Sequence, residues 1–483
     1  MRIILFITIV TMVLPLRIFA LQLNDSIDYA GFLKTEIRLK NNTDNSHQHL
    51  SCLKNTFDIG FDYRLSENWS FFFHPRFFYD FAYDIREQEE FDRTQHYMGH
   101  TQRTEWLRDC YLDYNSDNLD IRLGKQQVAW GHMDIPILDK VMPFDLTNWF
   151  LPDLADMRIP LWMAKIDYSP KLNSTIQLLI IPDFEASRVA LPGAPFSFSA
   201  YNNFYNLTQS LPILVGTVPF NTYLNNIYVD TIFPGKQFEN STFGVRFSSM
   251  LGNLEYTLNW LYGFTTSSYL YEEDTVATFV PGAPPRIELS SYNSRRFKRI
   301  QMMGLSFAKS FVDPGLLEGI TLKGEFAYIH DEPTYYGTSG SRELTEVSDK
   351  YNWGIAIEKD VVKNTTLSLQ VIQFIVDKDK RFDPTTGTVY KVLDTSTYGV
   401  IDKVETSIAL KLMTDFMYER VKPEITVIYQ EDNQGRIVPK VGVEVRDNLW
   451  LKIGYAHFYG RQDSSNGQFR NNDQLMMEVK YTF

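Results

Sequence analysis

The groups best placed for chemistry are charged and hydroxylated side chains that gather in two regions of the chain. Arg108, Asp109, Tyr111 and Asp113 fall within one short run, and Arg122 follows on the next. Asp145, Asp153, Asp156 and Arg158 lie in a later stretch rich in Pro and aromatics. Groups of both signs so placed suit ion pairing between neighbouring strands and selection of a passing solute by charge. They do not read as a nucleophilic or acid–base centre. The chain has no Gly-x-Ser-x-Gly elbow, no Cys-x-x-Cys pair and no phosphate-cradling glycine loop. His96 and His100 have i,i+4 spacing, and His47 stands near His49, but both pairs fall in polar loops without further ligands nearby. No catalytic residue, cofactor or metal is expected, and the chain reads as a non-enzyme.

The elements that must carry these groups are β-strands, because the residues alternate in character. Leu33, Ile37 and Leu39 alternate with Lys34, Glu36, Arg38 and Lys40. Phe57, Ile59 and Phe61 alternate with Asp58 and Asp62, and Cys110, Leu112 and Tyr114 with Asp109, Tyr111 and Asp113. A strand sends alternate side chains to opposite faces, so each of these has one apolar and one wet face. Arg76, Arg246, Lys323, Glu325 and Glu358 extend the wet-face set, and most such groups are expected to pair across strands. About 18 such segments recur along the chain, and single-chain outer-membrane barrels have even strand numbers. The predicted fold is all-β, a transmembrane antiparallel β-barrel of 16 or 18 strands with long extracellular or inward loops.

Composition agrees with that reading. Aromatic residues make up 15% of the chain, which suits the girdles of a barrel. The 47 basic residues are outnumbered by 59 acidic ones, for a net charge of −12, which argues against nucleic acid as a partner. Residues 1–20 read as a signal peptide, with Arg2, an apolar core and a cut near Ala20, leaving 21–483 as the barrel. With the first strand near Tyr29, no plug domain is expected ahead of it. Cys52 shares phase with Lys54 and Asp58 on the wet face, whereas Cys110 is on the apolar face, so no disulfide is expected. The final run Leu475, Met477, Val479, Tyr481 and Phe483 is similar to the closing strand of a gram-negative outer-membrane barrel, in which a terminal Phe is part of the signal read by the barrel-assembly machinery. The expected setting is the outer membrane, among its lipid and lipopolysaccharide.

Three long stretches interrupt the hairpin rhythm. Residues 131–160, with seven Pro or aromatic positions among their acidic groups and Trp130 just before them, are expected to fold into the lumen and narrow it. Arg122, Asp109, Tyr111 and Asp113 would then form a cluster beneath this segment and anchor it. Residues 184–240, with Phe196, Phe198 and Tyr201 among few charges, read as a long external loop packed on itself. Residues 265–293, carrying Glu272, Glu273 and Asp274, read as a mobile external loop.

One region goes beyond barrel grammar. Leu119 to Gly131, reading LDIRLGKQQVAWG, follows Arg108 to Tyr114 and precedes Met142–Pro143–Phe144–Asp145–Leu146 and Met157–Arg158–Ile159–Pro160. This order resembles an uncharacterised porin-like outer-membrane family of proteobacteria (domain of unknown function 1302) and, more distantly, the alginate-export porins. The resemblance implies passage of a small solute or apolar molecule across the outer membrane. The leading expectation is a porin-like channel for small solutes. The alternatives are a specific barrel transporter or exporter of an apolar compound or lipid, and a structural or adhesive barrel.

Overall fold

The computed structural model describes residues 26–41, 50–85, 106–190, 194–199, 213–214, 221–235, 237–281, 286–315, 317–338, 341–384 and 387–483. Residues 1–20, read as a signal peptide, and His47, His49, His96, His100 and Tyr201 lie outside the described residues. Eighteen strands form one closed antiparallel ring. They are β1 Ile27–Asn41, β2 Leu50–Arg64, β3 Trp69–Asp80, β4 Leu107–Asn115, β5 Leu119–Gln126, β6 Leu161–Lys171, β7 Ser174–Ile181, β8 Thr242–Leu251 and β9 Leu254–Phe264. The ring continues with β10 Arg299–Ser310, β11 Ile320–Thr338, β12 Ser341–Val362, β13 Thr365–Val376, β14 Val404–Thr414, β15 Val421–Gln430, β16 Gln434–Arg446, β17 Leu449–Tyr459 and β18 Asp473–Thr482. Each strand pairs with its neighbours in sequence, and β1 pairs with β18 from Phe32↔Thr482 to Asn41↔Asp473, which removes every edge. Phe483 completes the seam: its amide and Gly31 exchange backbone hydrogen bonds of 2.9 and 3.0 Å, and its ring stacks on Phe57.

Alternation builds the wall. Phe57, Phe77, Leu123, Leu178, Leu258, Met303, Phe326, Ile355, Ile408 and Ile453 are exposed large apolar side chains spread round the ring. A belt of this kind is stable only against lipid, and it marks the outward face of a membrane barrel. One rim has tight turns, such as 172–173, 252–253, 363–364 and 447–448; the other carries the long connections. In barrels of this class the long loops face the exterior.

The wet face is not charged throughout, contrary to the pattern read from the first strands. From β6 to β13 the inward phase carries an apolar patch toward the rim of the long connections, where Leu161, Met163, Leu179, Ile181, Leu261, Met302, Ile329 and Ile372 are all buried. They are dry because the connection between β5 and β6 folds over them. Two of the long stretches also differ from expectation. In 265–293, Tyr269–Val280 pairs with Arg286–Arg296 as an antiparallel hairpin, and Asn221–Ile232 runs parallel to the latter strand. Closely spaced Tyr, Thr, Val and Phe favour extended backbone, and the acidic triplet falls at a register shift between Glu272 and Asp274. In 184–240, Phe196 and Phe198 turn inward and pack with Trp149, Phe458 and Phe469 as well as with Val189, Ala190 and Ala194 of their own stretch.

Candidate functional site

The inward connection, residues 127–160, is held from two sides of the ring. Its first half lies on the apolar inner faces of β6 to β13. Val128, Trp130, Met133, Ile137, Leu138, Val141 and Met142 are buried there in one cluster with the inward residues of those strands. Small residues on the strands make the room. A Cβ on Gly304 of β10 would overlap the Leu138 side chain. Trp130 donates its indole N–H to Gln177 Oε1 on β7 at 2.9 Å.

A single carboxylate fixes the backbone of this half. Glu325, on β11 and buried, accepts four main-chain N–H bonds. His132 and Met133 donate to Oε1 at 2.6 and 2.8 Å, and Ile137 and Leu138 donate to Oε2 at 2.7 and 3.1 Å. Bonds to a charged acceptor contribute about 1.5–3 kcal/mol each, and leaving the donors buried without a partner costs a similar amount. Gly131 permits this approach. Its φ is +109°, and a Cβ there would meet the Glu325 carboxylate at 2.5 Å.

The second half reaches strands on the other side of the barrel. In a ring of eighteen, β2 stands half-way round from β11. Asp156, on the short helix Leu154–Met157, meets Arg76 of β3 at 2.8 Å, Lys34 of β1 at 3.7 Å and Arg108 of β4 at 3.9 Å. Burial raises the pKa of Asp156, but Arg76, Lys34 and Arg108 outweigh it and hold the carboxyl at about 2. Arg108 also donates to the Ala155 carbonyl at 2.6 Å. A register shift opposite His74 and Pro75 leaves Arg108 out of the pairing, so Arg108 and Asp109 both turn to the lumen. Arg38 donates to Asn148 Oδ1 at 2.7 Å, and the Trp149 indole donates to Asn466 Oδ1 at 3.2 Å. Within the segment, Arg158 binds the buried Asp139 at 2.7 Å, and Asp145 accepts from the Thr147 amide. The Arg188 amide donates to the Phe144 carbonyl, which ties the next connection to this one.

The sequence-predicted residues are thus divided. Arg108, Asp156 and Arg158 belong to the holding contacts, Asp153 borders a cleft beside the segment, and Asp145 shapes a local turn. The expected cluster of Arg122, Asp113, Tyr111 and Asp109 forms on the wall but does not touch the segment in any described contact. Arg122 and Asp113 pair at 2.5 Å, Arg122 lies 4.0 Å over the Tyr111 ring, and Asp109 binds His74. Glu325, Arg76, Lys34 and Arg38, read only as general wet-face charges, supply the anchors. Cys52 is buried beside Arg38, and Cys110 points outward from β4; both are free thiols.

Two clefts flank the second half. One is bordered by Lys54, Arg76, Arg108, Lys125, Arg158 and Arg188 with Asp145, Asp156 and Glu185. The other holds Lys34, Arg38, Lys440 and Lys452 with Glu36, Asp153, Asp156 and Glu478. Asp156 borders both.

The family model described as "Protein of unknown function (DUF1302)" matches residues 30–483, so the chain belongs to that family. Comparison with curated proteins finds no match. Among solved structures, Acinetobacter baumannii OccAB4 is similar, with TM-score 0.50 and 9% identity over 96% of this chain and 99% of that one. Acinetobacter baumannii OccAB1 gives TM-score 0.50 and 8% identity over 95% and 96%. At these identities the likeness concerns the fold, a closed outer-membrane barrel.

Proposed function

We propose that this member of the DUF1302 family is an outer-membrane channel through which small solutes move passively, with residues 131–160 as its internal constriction. The observation that carries the reading is the way this segment is held. It leaves the wall after β5, docks on Glu325 of β11 and ends on Arg76, Lys34 and Arg108. Trp149 and Leu151 of its second half pack in an apolar cluster with Phe196, Phe198, Phe458 and Phe469, but the same half is bordered by charged clefts on both sides, which a lumen filled by apolar packing alone would not leave. Charged, hydrated clefts suit polar solutes and give an apolar compound or a lipid nothing to dissolve in.

The test is solute entry into liposomes carrying the purified, folded barrel. Uptake of small polar solutes that falls off with size supports the channel. Absence of uptake and of ionic current in the same preparation would instead favour an adhesive or structural barrel, or a transporter that needs a partner.

A further inference from the structure

One of the two clefts beside the inward segment reverses the charge of the molecule, and the other balances four cations with four carboxylates. The chain as a whole is acidic, at −12. The cleft against β2 to β5 is bordered by six cations and three carboxylates. Asp156 stands where this cleft meets the second one, its carboxylate within 4 Å of cations from three strands, Lys34, Arg76 and Arg108. Arg76 is also paired with Asp58 and Lys34 with Glu36 on the wall, so each keeps a partner when Asp156 leaves; with Arg108 they form a receptor for an oxyanion, occupied by a group of the protein itself. The carboxylate is about a third exposed, so it remains open to competition from solution.

We propose that the solute this channel favours is a small oxyanion, a carboxylate or phosphate, and that Asp156 is its internal stand-in. The solute crosses the constriction by replacing Asp156 on Arg76 and Arg108, and Asp156 returns when it leaves. The inference rests on the channel reading above. The segment bearing Asp156 suits such an exchange. Its helix is four residues long, and its N-cap residue Asp153 makes no side-chain capping bond, so little structure is lost when the carboxylate swings away. The first half of the segment stays in place meanwhile, because Glu325 and the apolar cluster hold it separately.

Planar-bilayer recordings across a potassium chloride gradient test this, using wild type, Asp156→Asn and Arg108→Gln. Wild type should prefer chloride to potassium. D156N should raise the chloride-to-potassium permeability ratio about threefold or more, as expected for removal of one nearby charge, and R108Q should lower it. Inorganic phosphate added to wild type should reduce the chloride current saturably, and its half-saturating concentration should fall about threefold or more in D156N. The phosphate titration of wild type needs no variant to fold. A cation-preferring wild type, an unchanged or lower ratio in D156N, or a chloride current indifferent to phosphate would overturn the oxyanion proposal and leave the channel standing. Absence of any current from folded wild-type protein would overturn both.

Discussion

Glu325 shows how one side chain can set the position of a whole segment. Its two oxygens gather donors from both ends of the run 132–138, so its removal strands four buried amides at once. E325A should loosen the segment by roughly 3 kcal/mol or more, seen as flickering single-channel current and faster protease cleavage within 131–160 in a barrel that still folds. E325Q keeps carbonyl oxygen but loses charge and acceptor capacity, and should fall between. Gly131→Ala should act in the same direction through φ and through collision with the carboxylate, at about 1–3 kcal/mol. Asp156 adds a pH signature. Its folded pKa of about 2 lies below the ordinary 3.8. The stabilisation it gives is therefore complete above the ordinary value and is lost as pH falls through about 2. Current should show no Asp156-dependent step between pH 7 and 5. A step in that window that vanishes in D156N would contradict the pairing. Of these residues the sequence made Arg108, Asp156 and Arg158 legible as charges in the right neighbourhood. It could not reveal Glu325 as the anchor, because its four partners are backbone amides nearly two hundred positions away, and amides carry no sequence signature.

At the scale of elements, the strands were legible because lipid imposes an apolar outward phase at every second residue. The inward phase is under no such uniform rule, and there the wet face read from the first strands does not extend to every strand. Leu179 follows Leu178, Met302 precedes Met303, and Ala356 lies between Ile355 and Ile357. Strands apolar on both phases are covered on both faces. That signal marks the part of the wall on which residues 128–142 lie, and it was present in the sequence. The glycines and alanines among these inward positions, Gly304, Ala327, Gly354 and Ala356, mark where the segment comes closest. Gly304→Val should therefore displace Leu138 and lift the first half of the segment while leaving β10 intact. The expected outcome is a larger single-channel current with unchanged strand content by circular dichroism. A current equal to that of wild type would mean that the segment tolerates the overlap and is not seated by this contact. The external hairpin within 269–296 was misread as loop because its charged triplet sits at a register shift and hides the alternation on either side.

For the whole molecule, closure of the ring between β1 and β18 turns a series of hairpins into a barrel without edges, and the exposed apolar belt places that barrel in lipid. The lumen is divided by function: an apolar wall that seats the inward segment, and a charged wall and clefts that face its second half. In the channel proposed above, this segment sets the width of the conducting path. The most direct measurement is single-channel conductance of wild type beside a variant in which residues 132–157 are replaced by a short glycine–serine link. A conducting wild type, with conductance at least about twofold larger in the variant and selectivity largely lost, is the predicted result. Equal conductance and selectivity in the two folded barrels would contradict it.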